Sequence, residues 1–153
     1  MRLMLLLVLT AVVSPMCSAA TADLSSPEGL WSPVDGQGRP LGLIRIFERN
    51  GAFYGRIEPN SPSDDFSARC TRCTDERKDQ PIIGLVIMRH LELRDDEYVG
   101  GDILDPRTGG VYRCKFHLTD GGRKLRMRGY LGISLLGRSL TWVRVEEAGR
   151  RRP

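Results

Sequence analysis

Residues 42–58, GLIRIFERNGAFYGRIE, decide how the rest of the chain is read. Apolar residues Leu43, Ile44, Ile46 and Phe47 precede Asn50-Gly51, and Phe53, Tyr54 and Ile57 follow it. Asn and Gly both accept positive φ, which a tight type I′ turn demands, so the dipeptide predicts a hairpin between strands at 42–49 and 52–58. Short apolar runs punctuated by Gly, Asn and Asp recur to the end of the chain, and no stretch carries the sustained period of an amphipathic helix. Strands are expected at 82–88, 98–104, 111–118, 124–131 and 138–145, with a short first one around Leu30-Trp31. The nearly unbroken apolar run at 82–88 predicts cover on both faces. Polar turns at 94–97, 105–110 and 120–122 separate the later strands, and 132–137 reads as a short helical turn.

About eight short antiparallel strands in one small domain can close on themselves and so remove their exposed edges; a sandwich is the alternative packing. The fold expected is all-β, an antiparallel barrel of about eight strands with a long Cys-containing loop. A barrel of that size either fills its interior with side chains or holds one small ligand.

The chain begins with one positive charge at Arg2, an apolar run over 3–13, and small residues ending in Ala20-Thr21-Ala22. That pattern predicts a secretory signal peptide over 1–22, with cleavage after Ala19 or Ala20 as variants. The run is too short and too broken, at Ser14-Pro15, to stay as a membrane anchor. Met16 before Cys17 fits a lipoprotein signal poorly. The expected organisation is a signal peptide at 1–22, a barrel domain at 23–146 and a basic disordered tail at 147–153. The protein is then exported, and periplasmic if its source is a Gram-negative bacterium. Net charge is +4 over the full chain. Arg2 leaves with the leader and Arg150, Arg151 and Arg152 supply the remaining excess, so 23–149 is balanced. Such a distribution argues against a nucleic-acid partner.

Four cysteines and two histidines invite metal or redox chemistry. Cys70-x-x-Cys73 with Cys114-x-x-His117 spells four zinc ligands. Alternation along 111–118 opposes that site, because it sends Cys114 inward with Tyr112 and Phe116 and sends His117 outward. No metal or other cofactor is implied. Redox catalysis usually sets Cys-x-x-Cys at a helix N-terminus that lowers the thiol pKa. Here the pair lies in the polar stretch 59–81, beside Arg69 and Arg72, with no βαβ context. In an oxidising compartment the simpler reading is a disulfide that staples the loop. That loop could be a lid over the barrel mouth, a partner surface or a tied-down segment. His90 and His117 lie in no recognisable catalytic triad, and Asp102 and Asp105 face opposite sides of a strand, so an enzyme is the less favoured class. Asp105-Pro106 with Gly109-Gly110 reads as a turn rather than a calcium loop.

Gly29-Leu30-Trp31 resembles the Gly-x-Trp that opens the lipocalins, where an arginine of the closing strand packs over the tryptophan; Arg144 or Arg138 could do so here. A wider set of motifs comprises Gly29-Leu30-Trp31, Cys70-x-x-Cys73 with Pro81-x-x-Gly84, and Gly100-Gly101-x-Ile103-x-Asp105-Pro106. Gly109-x-x-Tyr112, Arg128-Gly129-Tyr130-x-Gly132, Gly137-Arg138 and Trp142-x-Arg144 complete it. Together they resemble the bacterial family catalogued as domain of unknown function 2147, over nearly the whole mature chain. Tyr98 stands where a tryptophan is common in that family, a swap that keeps the ring. The resemblance implies an exported lipocalin-like barrel and no particular activity. The function expected is a binding or interaction module for a small apolar ligand or an envelope partner. Trp31, Tyr112, Arg128, Tyr130 and Trp142 are its candidate ligand residues, and Trp31 with Arg144 close the barrel. Arg128 and Tyr130 enter a pocket only if their strand takes the register opposite to the one that buries Leu125, Met127 and Gly129. The alternative function is an envelope thiol–disulfide protein acting through Cys70 and Cys73.

Overall fold

The computed structural model describes residues 23–132 and 137–147, so the leader, the last six residues of the tail and most of the expected turn at 132–137 lie outside the described residues. Eight strands follow in chain order: β1 (Gly29–Val34), β2 (Leu43–Arg49), β3 (Ala52–Glu58), β4 (Val86–Arg94), β5 (Glu97–Asp105), β6 (Gly110–Thr119), β7 (Lys124–Tyr130) and β8 (Gly137–Val145). Each pairs with its neighbours antiparallel, and β8 returns to β1, closing an eight-stranded barrel. Closure leaves no free sheet edge. Among the described residues, no helix is long and apolar enough to cross a membrane.

The hairpin at Asn50-Gly51 forms as read, with both residues at positive φ. The fourth strand departs from expectation, running at 86–94 rather than 82–88. Residues 82–85 form a turn instead, in which the Gly84 amide donates to the Ile57 carbonyl and the Leu85 amide to that of Ile82. The reason is physical: a strand needs a run of partners more than a run of apolar residues. The polar half, Arg89 to Arg94, finds its partners along β5 while half its side chains face solvent. A bulge at His90, where φ is +58°, reverses the alternation, so Met88 and Leu91 both point inward.

The interior is filled by side chains. Trp31, Ile46, Met88, Leu91, Phe116 and Leu125 are fully buried within it. Phe53, Tyr98 and Phe116 form an aromatic stack, edge-on at 5.1 Å and then parallel at 4.5 Å. Burial pushes the Tyr98 phenol above its ordinary pKa. One end of the barrel is closed. There the Arg144 guanidinium lies 4.3 Å from the centre of the Trp31 ring, and the Trp31 indole N–H donates to the Pro27 carbonyl at 2.7 Å. Arg144 donates to the carbonyls of Ser26, Glu28 and Gly122 at 2.7, 2.7 and 2.8 Å. Of the two arginines the sequence offered, Arg144 makes the closure; Arg138 is exposed near the opposite end of β8.

Candidate functional site at the open end of the barrel

Strand direction sorts every connection to one of two ends. The turns at 50–51, 95–96 and 120–122 lie at the closed end with Trp31, while the segments at 35–42, 59–85, 106–109 and 131–132 lie at the other. The second end is the mouth. Pleat parity puts Ile57, Ile103, Tyr112, Gly129 and Leu140 on the inward face near it, each continuing a column of buried residues below. Ile57, Ile103 and Tyr112 are half-buried, and Leu140 is 44% exposed although it faces inward. The connections that leave the strands at that end also expose Leu41, Phe66 and Leu131. Leu93 is the exposed large apolar residue of the closed end, and Val111 sits on the outer wall. Exposed apolar side chains gathered at one end of a barrel are the usual mark of a binding surface.

The structure does not bring the sequence-predicted site residues into one place. Trp31 and Trp142 are buried in the interior and Tyr112 stands at the mouth. Arg128 and Tyr130 point to the outer wall, because their strand takes the register that buries Leu125 and Met127. Arg128 donates there to the Ser139 hydroxyl at 3.2 Å. The Trp142 indole N–H is buried without a hydrogen-bond partner among the described residues, so the interior offers one unused donor two residues below Leu140 on the same face. A buried unpaired N–H costs on the order of 1–3 kcal/mol, which a ligand acceptor would recover. Sequence reading missed Ile103 and Leu140; an apolar residue of inward parity close to a strand's mouth end is the signal that finds them.

The long connection at 59–85 is tied down rather than spread across the mouth. Ala68 to Ile82 forms a narrow loop of its own: Cys70 donates its amide to Gln80, and Ile82 donates to Ala68. Cys70 and Cys73 lie at disulfide distance inside it, Cα atoms 5.4 Å apart. Both are buried, 0% and 1% exposed, so an attacking thiolate has no approach to either sulfur in the folded state. That burial opposes the thiol–disulfide alternative. The loop docks on the outer wall. A side chain at Gly109 would collide with the Arg72 carbonyl at 1.9 Å, so the loop rests against the β5–β6 turn at backbone contact. Ile87 and Leu104 point outward by parity yet are buried with Cys70 and Cys73, which explains why part of the apolar run needed cover on both faces.

Charges latch the same loop. Arg77, 5% exposed, pairs with Asp75 of the loop and lies 3.7 Å from Asp102 on β5. Arg89 of β4 reaches Asp102, Asp75 and Glu76. Hydrogen bonds from the Arg77 side chain hold the Asp75 carboxyl down at a pKa of about 2. Cys114 is wholly buried on the inward face of β6, and burial pushes its thiol up to about 12; His117 lies on the outward face, as strand alternation requires. Among the described residues no three potential metal ligands cluster. A concavity of about 570 Å³ is an open groove at the closed end lined by Leu24, Leu93, Asp95, Asp96, Tyr98 and Leu118 among others.

Comparison with known proteins agrees with this architecture. A solved structure of protein HP1028 from the human pathogen Helicobacter pylori, described as belonging to the lipocalin family, superposes with a TM-score of 0.68. It covers 80% of this chain and 84% of its own at 18% identity, so the likeness is one of fold. No curated protein matches the chain. A family model described as an uncharacterized protein conserved in bacteria, DUF2147, matches residues 29–144, which take in every barrel strand but the end of the last. The chain therefore belongs to that bacterial family, whose domain here is a closed lipocalin-like barrel.

Proposed function

We propose that this protein is an exported, non-enzymatic binding module that takes a small apolar ligand at the barrel mouth rather than in a central chamber. One observation carries the reading: Leu41, Leu131 and Leu140 expose apolar surface at the mouth end, above an interior already filled. The half-buried Ile103 and Tyr112 supply the walls, and the unpartnered Trp142 N–H supplies one donor for a polar head group. A ligand with an apolar body and a single acceptor fits that arrangement, since ligand sites combine apolar lining with a few placed polar groups. Export and a periplasmic address, if the source is Gram-negative, follow from the leader-like first 22 residues and belong to the same proposal.

The test is a titration of the mature protein with N-phenyl-1-naphthylamine, which brightens in apolar sites. Binding should be saturable and weakened at least tenfold by Leu140→Asp, a loss of about 1.4 kcal/mol or more. Leu93→Asp at the closed end should leave it unchanged. Equal loss in both variants, or no saturable binding, would overturn the proposal.

A further inference from the structure

We propose that the outer wall formed by β6 and β7, together with the apolar tips of these two strands, docks onto an anionic lipid bilayer. Near-neutral charge over 23–149 hides a strong segregation. The outward positions of β6 carry Arg113, Lys115 and His117, and those of β7 carry Lys124, Arg126 and Arg128. The register sets Lys115 directly opposite Arg128 and His117 directly opposite Arg126. Basic residues placed directly across adjacent strands work against the sheet. Such an arrangement calls for an external anion.

Internal carboxylates answer only part of this charge. Lys115 pairs with Glu97 at 2.9 Å, and Lys124 with Asp120 at 3.1 Å. Asp102 stands across from Arg113 but is engaged by Arg77 and Arg89. Arg113 and Arg126 are exposed and have no ion-pair partner among the described residues. Ser139 and Thr141 flank the patch on β8 with hydroxyls that can bind phosphate oxygens.

A bilayer is favoured over other polyanions by what lies beside the cations. Val111 and Leu131, exposed by 38% and 63%, stand at the mouth ends of the same two strands. A basic wall ending in an apolar tip matches the interfacial pattern, in which apolar burial and attraction to anionic headgroups add. A duplex or an acidic protein would use the cations and leave the tip without a role.

The test is co-sedimentation of the full mature chain with vesicles of phosphatidylcholine, alone or mixed with phosphatidylglycerol, at low and high salt. Binding should require phosphatidylglycerol and fall at high salt. Replacing Arg113 and Arg126 together by Gln should weaken it about 30-fold, whereas the charge-matched control Lys78→Gln with Arg94→Gln should stay within about twofold. Leu131→Ser should weaken it as well. Thermal melting shows that the variants fold, and relief of repulsion should leave the wall variant at least as stable as the parent. Equal loss in wall and control variants, or equal binding to phosphatidylcholine alone, would overturn the proposal. Binding to duplex DNA that exceeds vesicle binding and ignores Leu131→Ser would overturn it in favour of a nucleic-acid face. None of these results depends on the naphthylamine titration at the mouth.

Discussion

Arg144→Met removes the clasp at the closed end while keeping most of the apolar stem. Three hydrogen bonds to carbonyls at 2.7–2.8 Å are lost, and with them the contact to the Trp31 ring. Hydrogen bonds from a charged donor contribute about 1.5 kcal/mol each, and the cation–π contact about 1 kcal/mol. The carbonyls of Ser26 and Glu28 lie close to water and recover part of that on exposure. The expected net loss is therefore about 3 kcal/mol, a large share of the ~5–15 kcal/mol that holds a domain of this kind together. Arg144→Lys keeps the charge, but an ammonium lacks the planar fork that serves three acceptors in different directions. It should lose roughly half as much. Both tryptophans are buried in the barrel, so intrinsic fluorescence reports unfolding in urea directly. The midpoint should fall with the slope unchanged, which marks a loss of stability rather than a change of unfolded state. A loss below about 1 kcal/mol for the Met variant, or a Lys variant as stable as the parent, would refute the clasp.

Other perturbations reach the remaining features. Gly101→Ala places a methyl group 2.2 Å from the Arg89 carbonyl at the paired bulges of β4 and β5, and should cost about 3 kcal/mol or more, read by the same urea transition. Gly36→Ala, with open space around it, should change little. Asp75 has its carboxyl held below the unfolded value, so its contribution of about 2 kcal/mol at most is complete above pH 4 and is lost as pH falls towards 2. Hydrogen exchange in the 68–82 segment should accelerate through that window, and in Asp75→Asn it should be fast already at pH 7. Iodoacetamide should label neither Cys114 nor a dithiol-treated Cys70–Cys73 pair until the protein unfolds. Replacing the pair by serines should cost about 2 kcal/mol, the entropy of closing so short a loop.

The hairpin at Asn50-Gly51 was legible because its turn chemistry is local, and Cys114 separated from His117 because strand parity is local too. Trp31 with Arg144 was legible because the ends of a closed barrel must meet. Sequence pattern sets the fourth strand at 82–88 rather than 86–94: its polar half, Arg89 to Arg94, looks like a loop until β5 is there to pair with it, and the bulge at His90 breaks the period that would betray it. Leu104 could not be assigned to a covered outer face, because its cover comes from a loop twenty residues and more away in sequence. The latch of Arg77, Arg89 and Asp102 was invisible for the same reason. Charge balance over 23–149 concealed the basic wall, since a sum over the chain keeps no record of which residues share a face.

The location of the ligand is the claim on which the functional reading stands. Chemical-shift mapping of the isotope-labelled mature protein against decanoate tests it most directly. Shifts should concentrate at Ile57, Ile103, Tyr112 and Leu140 and at the Trp142 indole N–H, which should move downfield as it gains an acceptor, while Leu24, Leu93 and Leu118 stay still. Shifts centred on the closed-end groove, or an unmoved Trp142 indole with no change at the mouth, would contradict the account.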